Sequence, residues 1–366
     1  MPKILHTADL QLDAPFGFLG QRGDAHRQQL RETFRKVVET ARSHDLLLIA
    51  GDLFDSNHPS RATVAFVQQQ LQQLSIPVCI LPGNHDCYDA QSIYRREKFP
   101  ANVRIFAETP TFVDFPELNL TVAGNPLRNN YATDSVFDGI TRSGGRQWFV
   151  VMAHGNLQIP GLVENTARPI KPAALEATRA DYVALGDWHA FADYSQGKVK
   201  AYYAGAPEPT GSNQSDAGYV ASVHLSAAGV MVERVRVGRT FTREVKLNVM
   251  NMDMADILRE IGQHADPACM LTVTLTGMKS VDRFIDTESI TSQLGGGFYW
   301  LQVNDTAVSA VDHIDPAQFP ATQVIGQYVR NLKGEIDRAT DERQRRIAEQ
   351  ALQIGVALLQ GKEVLR

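Results

Sequence analysis

Polar side chains of metal-binding type follow five apolar runs of this sequence, each at the point where the run ends. Asp9 and Gln11 follow the first run, residues 3–7, and Asp52 follows the second, residues 46–50. The other three runs are followed by Asn84, His85 and Asp86, by His154, and by Asp187 and His189. Carboxylate, amide and imidazole groups are ligands of hard or borderline divalent metals. The pattern therefore predicts a metal site assembled from five separate segments.

The apolar runs alternate with helical patterns, which is typical of an α/β domain. The predicted strands are residues 3–7, 46–50, 78–81, 118–123, 148–153, 182–185, 200–203, 218–225 and 230–237, the last two forming a hairpin. Predicted helices cover residues 27–43 and 61–74. Ligands of open α/β sheets bind beyond the carboxyl ends of the strands, which is where the five polar segments fall.

Each of these short motifs is weak when taken alone, because a Gly-Asp or Asn-His pair is usually an ordinary turn. Five in order, each after a predicted strand, are not an accident of composition. The remaining histidines lack this context and are interpreted as surface or structural residues. His6 lies within the first strand, where a packing role is favoured over direct metal binding.

Composition excludes several classes of protein. The chain has 366 residues, 43% of them hydrophobic and 21% charged, and a net charge of −5, which argues against a protein coated by nucleic acid. No apolar stretch is long enough for a membrane span, and residues 1–7 do not resemble a secretory signal. Cys79, Cys87 and Cys269 have no metal-type spacing. A cytoplasmic protein with reduced thiols is expected.

The pattern changes after about residue 241. We predict three parts: a first domain over residues 1–242, a small α+β domain over 243–318, and charged amphipathic helices over 319–366. The small domain is predicted from strands at 245–249, 271–276 and 298–304 and a helix at 253–263.

The motifs of the first domain resemble those of the calcineurin-like metallophosphoesterases. The segments that carry the resemblance are HTADLQLDAPF (6–16), GDLFD (51–55), IPVCILPGNHD (76–86), YVALGDWH (182–189) and YAGAP (203–207). Within the family the sequence is similar to the DNA-repair nuclease branch, of the SbcD type and the YhaO-like bacterial proteins. The resemblance is strong over roughly residues 1–240. It implies a β-sandwich flanked by helices, followed by a small capping domain and C-terminal helices.

The resemblance also implies the roles of individual residues. One metal would be held by Asp9, Gln11, Asp52 and His189, and the second by Asp52, Asn84, His154 and Asp187, with Asp52 as the bridge. His85 would be the proton donor at the leaving oxygen. Asp86 would either orient His85 or only stabilise the turn.

Two positions depart from the family pattern. Gln11 and Asp187 stand where the family has histidine, so four imidazole ligands become two and two carboxylates become three. Oxygen-rich ligands favour two hard cations, with Mn²⁺ expected and Mg²⁺ as the alternative. The other interpretation is a decayed site in a silent binding subunit.

The expected function is a metal-dependent phosphodiester hydrolase, a DNA exonuclease or endonuclease subunit. A stand-alone phosphoesterase for nucleotides or small diesters is the alternative. Arg95, Arg96 and Lys98 either contact DNA phosphates or form a solvated helix face. By resemblance, the C-terminal helices would dock an SMC-like coiled-coil ATPase of the SbcC or YhaN type, or else pack on the protein itself. A homodimer is also implied.

Overall fold

The computed structural model describes residues 1–129, 135–142, 144–158, 168–279, 285–309 and 316–361. The chain forms two compact units, Met1–Thr242 and Arg243–Arg366. The strands of the first unit are β1 (Lys3–Thr7), β2 (Leu46–Ala50), β3 (Val78–Leu81), β4 (Val103–Ile105), β5 (Thr111–Phe115), β6 (Leu120–Gly124), β7 (Trp148–His154), β8 (Asn156–Leu157), β9 (Pro169–Ile170), β10 (Tyr182–Gly186), β11 (Ala192–Asp193), β12 (Lys200–Tyr203), β13 (Tyr219–Ser226) and β14 (Gly229–Arg236). Its helices are α1 (Gly23–Ala41), α2 (Arg61–Gln72), α3 (Ile93–Arg96) and α4 (Pro172–Ala177).

Two six-stranded mixed sheets form the first unit. The first sheet has the order β14-β13-β1-β2-β3-β4, with β1 to β4 parallel and β13 and β14 added antiparallel. The second has the order β11-β12-β10-β7-β6-β5, with a parallel centre between antiparallel edges. Parallel strands covered on both faces need continuous apolar sequence, which explains runs such as Leu46–Ala50.

The two sheets pack against each other through a single core. This core contains fully buried side chains of both sheets, among them Ile4 and Leu48 from the first and Val150 and Tyr182 from the second. The outer face of the second sheet buries a separate cluster that includes Leu175 of α4. The predicted fold class, an α/β sandwich of two sheets flanked by helices, is confirmed.

Helix ends are set by local sequence. Ser60 caps α2 by accepting a hydrogen bond from the Thr63 backbone nitrogen, as expected for serine at this position. On α1, Leu30, Phe34, Val37 and Val38 are buried, and this apolar stripe covers one face of the unit.

Strand β15 (Phe241–Asn248) begins two residues before the second unit and continues into it. The other strands of the second unit are β16 (Asp266–Thr276), β17 (Met278–Lys279), β18 (Phe298–Asp305) and β19 (Val308–Ser309), and its helices are α5 (Met254–Gly262), α6 (Thr287–Leu294), α7 (Val324–Arg338) and α8 (Glu342–Leu359). Its main sheet has the order β15-β16-β18. Asp253 and Asp256 form a capping box at the start of α5. Helices α7 and α8 pack on each other around Val329, Leu352 and Val356.

Some predicted element boundaries were wrong. Leu118 ends a 3₁₀ turn (Pro116–Leu118) rather than beginning a strand. β6 begins at Leu120, because Asn119 has a left-handed backbone with a φ angle of 49°. Helix α1 begins at Gly23 rather than at Arg27 and ends at Ala41. Strand β16 begins at Asp266, five residues before the predicted start. The edge strands β4 and β5 and helix α6 were not predicted.

Candidate metal centre

The five polar segments lie at the carboxyl ends of five central strands. Asp9, Asp52 and Asn84 follow the neighbouring strands β1, β2 and β3 of the first sheet, and His154 and Asp187 end or follow the neighbouring strands β7 and β10 of the second. In a parallel arrangement these ends share one edge of each sheet. The fold therefore brings together residues that are up to 178 positions apart, such as Asp9 and Asp187.

A buried group of two carboxylates and one imidazole stands at the centre of this edge. One ligand atom each from Asp9, Asp52 and His154 lies within 4.8 Å of the others, and all three side chains are buried. His154 Nε2 is 3.4 Å from Asp52 Oδ2 and 2.8 Å from Asn84 Oδ1. Asp187 Oδ1 is 3.6 Å from the same nitrogen. These donors converge on one small region.

The donor set fits divalent cations. Carboxylate, amide and imidazole donors at this spacing match the ligands that Mn²⁺ and Mg²⁺ accept. Glycines keep the region open: a Cβ added to Gly51 would overlap the His154 imidazole, and one added to Gly83 would overlap the Asp52 carboxylate. Only glycine allows the backbone to pass this close to those side chains.

Electrostatics of the buried group are dominated by its own charges. Burial lowers the pKa of a histidine, but Asp52, followed by Asp187 and Asp9, outweighs burial and raises the pKa of His154 to about 10. Burial raises the pKa of Asp9 to about 8. Burial also acts to raise that of Asp52, but His154 reverses this and lowers it to about 2. A cation entering the group would take the place of the His154 proton.

Asp187 is held by two donors that the sequence did not point to. Its Oδ1 accepts from Arg168 at 2.9 Å, and its Oδ2 accepts from the Asn156 amide. Its backbone nitrogen donates to Asp9 at 3.0 Å. Asn156 lies two residues after His154, whereas Arg168 has no sequence signal, because it follows no predicted strand.

Gln11 and His189 lie together, beside the central group. The Gln11 Nε2 and His189 Nε2 atoms are 3.5 Å apart. The other ring nitrogen of His189 is held by the hydroxyl of Thr210 at 3.0 Å and by the amide of Gln214. Nε2 is directed toward Gln11, and the hydroxyl of Thr210 can accept the Nδ1–H that a metal-ligating histidine donates. Thr210 and Gln214 were not predicted.

His85 lies over the Asp52 carboxylate and is partly exposed. Its backbone nitrogen donates to Asp52 Oδ1 at 3.0 Å, and its Nε2 is 4.0 Å from Asp52 Oδ2. Its Nδ1 is 2.9 Å from the Asp55 carbonyl oxygen. Burial acts to lower the pKa of His85, but Asp52 and the two Asp55 contacts raise it above the usual value. A protonated His85 facing solvent can act as an acid.

Asp86 stabilises the turn rather than orienting the His85 ring. Its carboxylate accepts from the backbone nitrogens of Gly83 and Phe54, at 2.8 and 3.1 Å, and from the Tyr94 hydroxyl at 2.5 Å. The ring of His85 is held by Asp55 instead. Of the two roles expected for Asp86, the contacts support the turn-stabilising one.

The three basic residues after this loop have different surroundings. Arg95 lies over the Tyr88 ring at 4.3 Å, and Arg96 donates to the Asn57 carbonyl oxygen. Lys98 is exposed.

His6 is fully buried in the core, with Nδ1 2.8 Å from the Tyr182 hydroxyl, consistent with the packing role expected for it.

Fold and site together define a class of protein: a two-sheet α/β sandwich with carboxylate, amide and imidazole groups at its strand ends that could hold a metal. The family model of the calcineurin-like phosphoesterases matches residues 2–191, just over half of the chain. The protein belongs to the calcineurin-like phosphoesterase family.

Three curated proteins are similar to this chain at low identity. The uncharacterized metallophosphoesterase YhaO of Bacillus subtilis is 28% identical over 199 residues, covering 51% of this chain and 48% of that protein. The DNA double-strand break repair protein Mre11 of Aeropyrum pernix is 28% identical over 274 residues, covering 68% and 64%. The SbcD protein of the SbcCD nuclease of Staphylococcus epidermidis is 31% identical over 88 residues, covering 23% of each. The chain spans less than two thirds of each relative.

Solved structures show more distant likeness. The purple acid phosphatase PPD1 of yellow lupin seeds has a TM-score of 0.42 and 10% identity, covering 64% of this chain and 51% of that one. A predicted phosphoesterase of Streptococcus pneumoniae has a TM-score of 0.32 and 11% identity, covering 64% and 90%. In the described part of the chain, no helix is long and apolar enough to cross a membrane.

Proposed function

We propose that this protein is a metal-dependent phosphodiester hydrolase that cuts DNA, as the nuclease component of a repair complex. The observation that carries the proposal is the buried Asp9, Asp52 and His154 group at the joint strand ends. Family membership supports phosphoester chemistry, and the similarity to Mre11 and to the SbcD protein supports DNA as the substrate.

The site offers ligands for two divalent ions. Asp9, Gln11, Asp52 and His189 would hold one, and Asp52, Asn84, His154 and Asp187 the other. Such ions, when bound, acidify water and neutralise charge on a phosphate. Asp52 is suited to join the two ligand groups, because one of its oxygens faces His154 and the other accepts from the His85 backbone nitrogen.

His85 would supply the proton that the leaving oxygen needs. Its ring is partly exposed, anchored through Nδ1 to Asp55, and its Nε2 lies on the Asp52 side. Asp52 and Asp55 raise the pKa of His85 above its usual value, and Asp55 would keep the ring in place to give a proton to the departing alkoxide. Asp55 fixes the ring so that Nε2 is the donor.

The test starts from metal-free protein supplied with Mn²⁺, Mg²⁺ or Zn²⁺. End-labelled linear DNA and a chromogenic phosphodiester are assayed in parallel, with Asp52→Ala as the inactive variant and Asp24→Ala, an exposed aspartate, as the matched control. We expect Mn²⁺-dependent cutting of DNA that Asp52→Ala lacks and Asp24→Ala retains. Mn²⁺ is expected to be preferred because oxygen ligands outnumber imidazoles.

A second candidate function is hydrolysis of nucleotides or small diesters, which the family membership supports equally and the net charge of −5 leaves open. Cleavage of the chromogenic diester without cleavage of DNA would support it. A protein that binds no metal and cleaves neither substrate would instead be a silent binding subunit, with Gln11 and Asp187 as the substitutions responsible.

Arg95 and Lys98 are proposed to contact the DNA backbone beside the centre. Both side chains are exposed and follow the loop that carries Asn84 and His85. Charge reversal of both residues to Glu should weaken DNA binding and reduce its salt dependence, while the chromogenic diester is cleaved at an unchanged rate. Reversal at Arg22, outside this loop, is the control.

The C-terminal helices are proposed to dock a coiled-coil ATPase. Although α7 and α8 cover each other, Val324, Ile347, Leu358 and Leu359 remain exposed. Ile347→Asp combined with Leu358→Asp should abolish co-purification with an ATPase encoded beside this gene and leave diester cleavage unchanged. Met231→Asp, which alters an exposed apolar residue of β14, should affect neither.

Compartment and assembly complete the proposal. Cys79, Cys87 and Cys269 are free and buried, as expected for a protein of the reducing cytoplasm.

A homodimer is proposed from the family resemblance. Light scattering at micromolar concentration should give twice the chain mass of 40.5 kDa, and a value of one chain mass would contradict it.

A further inference from the structure

Arg168 is a buried cation in direct contact with the candidate metal centre. It is 7% exposed, and its guanidinium lies 2.9 Å from Asp187 Oδ1. That same oxygen is 3.6 Å from His154 Nε2. Arg168 therefore contacts the same Asp187 oxygen that faces His154.

The fold holds Arg168 in place through its backbone. Its φ angle is 62°, in the left-handed region that a residue with a side chain seldom adopts. Its carbonyl oxygen accepts from the Asn156 backbone nitrogen at 3.1 Å, next to the pairing of β8 with β9. A Cβ on Gly155 would lie 2.6 Å from this oxygen, so only glycine permits the approach. The same backbone hydrogen bond fixes Asn156, whose side-chain amide donates to the second oxygen of Asp187.

Arg168 changes the formal charge of the candidate metal centre. In the deprotonated forms that bind metal, Asp9, Asp52 and Asp187 contribute a formal charge of −3 and the histidines contribute none. Arg168 brings the sum to −2, the value that two carboxylates and a neutral histidine at position 187 would give. Without Arg168, the third carboxylate would repel a phosphate while attracting cations more strongly.

We propose that Arg168 is a positioning residue that compensates for the carboxylate at position 187. It orients Asp187 toward the metals and cancels its charge, so that the site can both hold two cations and receive a phosphate. This inference rests on the proposed function for its phosphate half. Asp187 can serve both contacts because a carboxylate offers about four acceptor positions.

The first test measures Mn²⁺ binding by calorimetry and inorganic phosphate binding by the Mn²⁺-loaded full-length protein. Arg168→Gln changes the formal charge of the centre to −3. We expect Mn²⁺ affinity to rise at least about threefold and phosphate affinity to fall about tenfold. A purely structural residue would weaken both. The matched control is Arg142→Gln. Arg142 forms an ion pair with Asp181 at 2.9 Å, and Asp181 precedes the amino end of β10, at the other end of the strand from Asp187.

A double variant sharpens the test. In Asp187→His alone, Arg168 has no carboxylate partner at position 187 and the formal charge of the centre becomes −1. Mn²⁺ affinity should therefore fall. Combining it with Arg168→Gln restores −2, and both affinities should return to within about threefold of the natural protein. Loss of both affinities in Arg168→Gln, or a double variant no nearer the natural protein than the singles, would overturn the inference. Because binding is measured, failure of the hydrolysis assays would refute the proposed function without deciding the role of Arg168.

Discussion

Four of the seven candidate metal ligands have left-handed backbone conformations. The φ angles are 53° at Asp9, 41° at Gln11, 53° at Asp52 and 96° at Asp187. Aspartate tolerates this region better than most residues, but each such position still costs about 1 kcal/mol or more. The surrounding hydrogen bonds, such as Gln11 N to Asp52 O at 2.9 Å, maintain the strain. Backbone strain held in place at ligand residues is a feature of preorganised functional sites.

Replacement of His85 should separate binding from turnover. His85→Ala should retain Mn²⁺ affinity, since its side chain is outside the ligand set, while kcat on DNA falls by about 10²- to 10⁴-fold. A diester with a nitrophenolate leaving group should lose much less, because that oxygen needs little protonation. The measurement is kcat on both substrates, with the exposed His58→Ala as control. Equal losses on the two substrates would refute the role of His85 as acid.

The burial of His6 should make the stability of the fold sensitive to acid. Burial lowers its pKa from 6.5 to about 3, so the unfolded chain binds a proton in acid that the folded chain cannot accept. The stabilising effect is present above the unfolded pKa and is lost as pH falls toward the folded one. Between about pH 7 and about pH 5 the free energy of unfolding should drop by about 2 kcal/mol from this group.

Urea titration of metal-free protein at both pH values measures that drop. His6→Asn should show a decrease smaller by the same amount, whatever its absolute stability, while His58→Asn should behave like the natural protein. If His6→Asn retained the full decrease, the acid sensitivity would belong to other groups.

Residue identities at strand ends were predictable, but the partners that hold them were not. The order of Asp9, Asp52, Asn84, His154 and Asp187 after apolar runs sufficed to indicate a shared edge. Contacts such as Arg168 with Asp187, or Thr210 with His189, join loops whose conformation no local pattern determines. Of the two roles that the sequence left open for Asp86, its position beside His85 did not indicate which one the contacts favour.

At the scale of elements, the site depends on how closely the two sheets approach at their carboxyl ends. A Cβ on Gly186, at the end of β10, would overlap the Ala50 carbonyl oxygen of β2 and lie 2.8 Å from His154 Nδ1. His154 Nδ1 is itself 2.9 Å from that carbonyl oxygen. One atom on Gly186 would therefore push apart the strands that carry Asp52, His154 and Asp187.

Gly186→Ala should destabilise the fold and damage the centre together. We expect a loss of at least about 2 kcal/mol in the free energy of unfolding and at least tenfold weaker Mn²⁺ binding. Gly145→Ala, where a Cβ would meet no atom within 4 Å, should change neither quantity. Denaturation and calorimetry provide both numbers, and unchanged Mn²⁺ affinity in Gly186→Ala would contradict the close-approach argument.

Long buried strands were predictable because continuous apolar sequence indicates them. Strands β1, β2 and β3 have the predicted bounds. β2 and β3 are apolar throughout, and β1, although it contains Lys3, His6 and Thr7, is buried from Ile4 to Thr7 and is likewise followed by a polar segment. Strands β4 and β5 escaped prediction because they are short edge strands with alternating exposure. Their positions depend on tertiary pairing, which a single sequence does not reveal.

At the scale of the whole molecule, the candidate metal centre belongs to one of two compact units. All seven candidate ligands lie in Met1–Thr242, and Arg243–Arg366 has its own sheet and helix pair. A cation that binds only the folded first unit stabilises that unit by mass action. The second unit gains nothing from the cation unless the two units unfold together.

Hydrogen exchange should therefore respond to Mn²⁺ in only one unit. At about 100 times its Kd, Mn²⁺ should add about 2.7 kcal/mol of protection to amides of β2 and β10, while those of β16 stay unchanged. The measurement is exchange mass spectrometry of the full chain with Mn²⁺ or with chelator, and Asp52→Ala should abolish the difference. Equal protection of β16 would show that the chain unfolds as one cooperative body, and no protection of β2 and β10 would count against a metal at these strand ends.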